Sequence, residues 1–272
     1  DIMTFLWLDG NKHNKAADDM QRIQHYVTHS GMRWITFYGV ILLAWAALFA
    51  MVLTSQEYQF TSIYGTDFWA SLCAVGANDS AFWQVLPMWL LMSAAMMAPT
   101  MVPALRVFDD LTHTSAATAA GFWGLISGYL AIWIGFSIIA AFAQIALSNM
   151  GLLAGSQSVS PLLNAALLIG AGAYQFTTLK ENCLSKCRAP MTFFMQHWND
   201  GPVKMGLRLG AVCLGCCWAL MLLGFVGGTM NLLWMGGATL LMLLEKLPEI
   251  GRHLTRPLGV IMIISGAIVA FL

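Results

Sequence analysis

Charge is scarce in this chain. Only 10% of its 272 residues are Asp, Glu, Lys or Arg, where ordinary soluble domains carry about a quarter. Net charge is zero, which gives no footing for a nucleic-acid partner. Histidine is sparse too, with six in all and none inside an expected membrane helix. A haem held between two helix histidines, or a histidine-rich copper or di-iron catalytic centre, is therefore not expected. The G-x-x-x-x-G-K-[ST] nucleotide loop and the G-x-S-x-G nucleophile turn are both missing. Charges within the apolar runs are few, against an ordinary ion-coupled transporter. These absences leave little chemistry for an enzyme, so a non-enzymatic role is favoured without enzyme chemistry being excluded.

What the chain has is apolar length. It is 58% hydrophobic, in runs near the ~20 residues that a membrane helix needs. The pattern predicts an all-α, polytopic membrane helix bundle of about seven transmembrane helices. They fall near 34–53, 82–107, 121–147, 161–179, 205–225, 229–244 and 257–272. Residues 1–32 are expected as a separate N-terminal segment, and 33–272 as the bundle. Within 16–30, Met20, Ile23, Tyr26 and Val27 line one side of a helix suited to the membrane surface. Its His25 and His29 are four apart, which reads better as two exposed side chains than as a metal grip. Cys73 stands alone in the loop 55–81 and reads as inert packing.

Basic residues sort by loop. Lys12, Lys15, Arg22 and Arg33 precede the first helix, and Arg106 ends the second. Lys180, Lys186, Arg188, Lys204 and Arg208 fall around the connection of the fourth and fifth helices. Lys246, Arg252 and Arg256 lie between the last two, and the opposite loops carry no such residue. By the positive-inside rule this places the N-terminus in the cytoplasm. Pro99 should kink the second helix. Gly124/Gly128 and Gly206/Gly210 are small-xxx-small pairs that permit close helix approach.

Chemistry concentrates between Tyr174 and Met221. Five of six cysteines are here: Cys183, Cys187, Cys213, Cys216 and Cys217. Spacings of three and four put sulfurs on one helix face. Both groups fall near the cytoplasmic ends of consecutive helices, in a compartment that keeps thiols reduced. Lys180, Lys186, Arg188 and Arg208 add positive charge that favours thiolates. A metal ion is the expected ligand, copper favoured over zinc, with an iron–sulfur cluster least favoured because the spacing matches no common ferredoxin. Met92 and Met96 belong to a methionine stripe on the second helix, whose thioethers suit a Cu(I) relay or plain packing. Glu181 and Glu245 read as carboxylates paired to nearby lysines, and Asn231 as an interhelical hydrogen-bonder.

The segments Y-Q-F-T-T-L-K-E-N-C-L-S-K-C-R-A-P, C-L-G-C-C-W-A-L-M and G-G-T-M-N-L-L-W-M, with M-S-A-A-M-M-A-P-T upstream, carry a resemblance. The chain is similar, over roughly 82–246, to a bacterial family of metal-binding integral membrane proteins without an established activity. That likeness implies a multi-pass protein of the bacterial inner membrane with a metal site. Residues and resemblance together predict a soft-metal protein in metal handling or metalloenzyme assembly. Its partners would be the lipid bilayer and other membrane subunits or a metal-accepting protein. Two alternatives stay open: an accessory subunit of a larger membrane complex with structural cysteines, and a thiol redox protein using the C-x-x-C pair Cys213/Cys216.

Overall fold

The computed structural model describes residues 31–51, 82–113, 118–154, 157–158, 160–228 and 231–271. The expected surface helix with His25 and His29, and the loop with Cys73, lie outside the described residues. The chain divides into two compact units, Asp1–Leu43 and Ala44–Leu272. What is described of the first belongs to helix α1, Gly31–Met51. There Trp34 stacks on Tyr38 with ring centroids 5.7 Å apart, and Thr36 Oγ1 donates back to the Met32 carbonyl.

The second unit is helical among its described residues, apart from a two-residue antiparallel pair, β1 Leu153–Ala154 and β2 Gln157–Ser158. Helix α2, Phe82–Met97, ends as Pro99 removes a backbone donor. A 3₁₀ turn, Pro99–Met101, then leads into α3, Val102–His113, so the helix is interrupted at Pro99 as expected while Phe82–Leu111 remains one membrane-length stretch. Helix α4, Ala119–Asn149, is capped by Thr118, whose hydroxyl accepts from the Gly121 amide.

The expected fourth helix is two helices. Helix α5, Pro161–Tyr174, and helix α6, Thr178–Arg188, meet at 63°. Thr177 makes the break. Its hydroxyl donates to the Tyr174 carbonyl and accepts from the Lys180 amide, ending one helix and capping the next. Pro190 opens α7, Pro190–His197, at a first-turn position where proline is tolerated. A 3₁₀ turn, Trp198–Asp200, and Gly201 at φ 82° lead into α8, Pro202–Leu222. A single turn, α9 Gly224–Gly227, precedes α10, Leu232–Lys246, and α11, Gly251–Phe271. Asn231 is an N-cap rather than an interhelical bond: its Oδ1 accepts from the Leu233 and Trp234 amides of its own helix.

Packing follows the small residues. Helices α4 and α8 make the most extensive contact in the molecule. A Cβ at Gly206 would lie 2.2 Å from the Leu125 carbonyl oxygen, and one at Gly128 would lie 2.2 Å from that of Val203. Both glycine pairs read from the sequence thus sit at one crossing, where backbones touch. Helices α5 and α11 approach likewise through Gly172, Gly259 and Gly266. Polar bonds fasten α2 to α4: Trp89 Nε1 donates to Gln144 Oε1 at 2.7 Å, and the Ser93 and Ser137 hydroxyls meet at 2.9 Å.

Among the described residues, five helices are long and apolar enough to cross a membrane: Gly31–Met51, Phe82–Leu111, Ala120–Asn149, Pro202–Gly227 and Gly251–Phe271. The bent α5–α6 pair would make six. Helix α10 has 15 residues, short of the ~20 for a straight crossing. Among the described residues, length and composition thus support five or six spans, where the sequence led to an expectation of about seven.

Candidate metal centre

Helix α8 carries Cys213, Cys216 and Cys217 about three turns in from Pro202. The sequence reading began this helix at Met205 and set the trio near its end. The helix starts earlier, and the trio stands near its middle. Positions three and four apart share a face, and all three sulfurs lie within 4.8 Å of one another. Cys216 Sγ is 3.2 Å from Cys217 Sγ, and it donates to the Cys213 carbonyl at 3.1 Å. All three side chains are buried. Three converging buried sulfurs form a soft donor set, able to hold a thiophilic ion without water.

Helix α6 brings the other two cysteines alongside. The 63° bend turns it back against α8. A Cβ on Gly215 would lie 2.6 Å from Cys183 Sγ, so the missing side chain there admits the sulfur. The Tyr174 hydroxyl donates to the Gly215 carbonyl just before the bend, and its ring meets Trp218 edge-on at 5.0 Å. Cys187 lines the same small cavity as Cys213. All five cysteines are free thiols.

Polar groups from three other elements close on Cys213. The Tyr129 hydroxyl is 3.0 Å from its sulfur and Thr100 Oγ1 is 3.8 Å away. Lys246 Nζ donates to the same sulfur at 3.0 Å. Lys246 is buried at 7% exposure, so its charge faces sulfur and not water. Sequence reasoning had surrounded the cluster with Lys180, Lys186, Arg188 and Arg208. Three of those bond elsewhere. Lys180 Nζ lies 2.9 Å from Glu245 Oε2, both side chains 1% exposed, and Arg208 pairs with Asp200 at 3.2 Å. Arg188 donates from Nε to the Glu245 carbonyl and reaches Glu181 at 3.7 Å. Glu245 does pair with a lysine, as expected, but inside the protein and across 65 residues of chain. Glu181 pairs with an arginine instead of a lysine.

Tyr129, Thr100 and Lys246 were not singled out from sequence. A signal existed for Tyr129, a hydroxyl beside the contact glycine Gly128 in a long apolar run. Nothing local marks Lys246, which reads as an ordinary basic helix end. Met92 and Met96 are buried in α2, but neither lines the small cavity at Cys213. Met101 does, from the 3₁₀ turn.

Fold and site define a class: an apolar helical bundle with a buried cysteine cluster suited to a soft metal. The family model described as copper chaperone, PpoB2, matches residues 86–269. That is more than half of the chain, and the chain belongs to this family. The match supports the metal-binding family that the sequence motifs suggested. No curated protein and no solved structure matches the chain.

Proposed function

We propose that this protein is a multi-pass membrane protein that takes up Cu(I) on its buried sulfurs and passes it to an acceptor protein. The observation that carries this reading is the Cys213/Cys216/Cys217 trio in one buried cluster, within a chain of the copper chaperone family. Cys183 and Cys187 on α6 complete one shared site with the trio. Cu(I) binds with two or three sulfurs, so five leave spare ligands by which the ion can be exchanged. Lys246 supplies positive charge against which sulfur-bound negative charge is held in an apolar interior. Exposed apolar side chains such as Leu162, Leu233, Ile261 and Phe271 suit contact with lipid. The basic residues support a cytoplasmic N-terminus and the bacterial inner membrane. The depth of the trio along α8 supports a site within the bundle rather than at its cytoplasmic edge.

Anaerobic titration of the purified protein with Cu(I) against a chromophoric chelator tests the reading. It predicts tight Cu(I) binding that exceeds Zn(II) binding. Cys183→Ser with Cys187→Ser should weaken it by more than about tenfold, or ~1.4 kcal/mol. A preference for Zn(II), or Cu(I) binding indifferent to every cysteine, would count against copper as cargo.

A further inference from the structure

The trio does not exhaust the sulfur chemistry around Cys213. On its other side lies a small cavity of about 10 Å³, close to the least space that holds one water. Its lining includes Cys187, Cys213 and Met101, with Thr100, Tyr129 and Lys246. Two cysteines and a methionine, from three separate elements, therefore line one ion-sized void. Met101 is there because Pro99 breaks the helix. The 3₁₀ turn puts Thr100 and Met101 beside α8, and Thr100 Oγ1 is anchored by donating to the Met97 carbonyl at 2.8 Å. Tyr129 donates to that same carbonyl at 3.1 Å, which fixes α4 against the turn. Met101 is 2% exposed, so its thioether is held in place and not free in lipid.

We propose that Cys187, Cys213 and Met101 form a second Cu(I) position, a transfer site that shares Cys213 with the trio. This rests on the copper reading above and adds to it a ligand, Met101, and a direction of movement. Mixed thiolate and thioether donors suit monovalent copper and hold it less firmly than three thiolates, as a transfer position requires. The step is a ligand exchange. Copper at Cys187, Cys213 and Met101 gains a bond to Cys216 and gives up its bond to Cys187. Cys216 gives up its thiol proton as it binds, and the released Cys187 sulfur takes up one proton, so the step balances. Copper stays monovalent throughout, and no electron moves.

Ag(I), a diamagnetic stand-in for Cu(I), tests this on full-length protein carrying ¹³C-methyl methionine, with Met92→Leu, Met96→Leu and Met101→Leu used to assign the three signals. Leucine conserves volume at these sites, so the variants are expected to fold. The expected result is that Ag(I) shifts the Met101 methyl signal and leaves those of Met92 and Met96 in place. Cys187→Ser should abolish the Met101 shift while Ag(I) still binds the trio, as read by isothermal titration. Ag(I) binding with an unmoved Met101 signal would overturn the transfer site and leave the copper reading standing. A shift confined to Met92 or Met96 would overturn it equally, by moving the thioether up the helix. Absence of any Ag(I) or Cu(I) binding would overturn both.

Discussion

At the residue scale, the deepest electrostatic commitment is the pair Lys180–Glu245. Both side chains are 1% exposed with Nζ and carboxylate in contact, and the pair ties the cysteine helix α6 to α10. Removing one partner strands the other as a buried charge, which typically costs about 3–5 kcal/mol. Lys180→Met should therefore lower the thermal midpoint in detergent sharply. Lys180→Met with Glu245→Met should recover most of the loss, because the stranded charge is then gone. If the double variant melts no higher than the single, the pair's role is not charge balance. Lys246, the next residue along, faces Cys213 instead. That division between adjacent residues could not be read from E-K-L-P, since it depends on which helix each side chain meets. Cysteine spacing was more informative. An i, i+3, i+4 set on one helix has to share a face, and the trio followed from it.

At the element scale, the molecule is built on glycine faces and broken helices. The α4–α8 crossing tests the first. Gly206→Ala places a Cβ 2.2 Å from the Leu125 carbonyl, so the helices must part. The expected cost is about 1–3 kcal/mol, as for other overpacked sites, with loss of metal binding because α4 carries Tyr129 to Cys213. Gly135→Ala, on the same α4 with nothing within 4 Å of the added carbon, should be neutral or stabilise by about 0.5–1 kcal/mol through helix propensity. Equal melting temperatures for the two variants would contradict the close crossing. Both glycine pairs were legible because spacing by four suffices to mark a helix face. The bend after Tyr174 was not. Apolar periodicity runs on through Phe176 and Leu179, and only the Thr177 hydroxyl, bonded on both sides, stops it. The fold-back of α6 onto the middle of α8 follows from that bend, as does the depth of the cysteine cluster.

At the scale of the whole molecule, composition revealed a helical chain with membrane-length segments, but not how many cross. Helix α10 reads as apolar up to Glu245 and still has only 15 residues. A reporter active only outside the cytoplasm, fused after Ser71 and separately after Asp200, addresses the orientation. Activity at the first site alone is expected from the basic residues, and the reverse pattern would invert the proposed topology. The central claim is that the buried sulfurs on α8 hold copper. Its most direct measurement is copper per chain, by elemental analysis of protein loaded anaerobically with Cu(I) and desalted. Wild type is compared with Cys213→Ser/Cys216→Ser/Cys217→Ser, each confirmed as folded by circular dichroism and size-exclusion elution. The account predicts stoichiometric copper in the wild type and near-complete loss in a folded triple variant. Undiminished copper in that variant would contradict it.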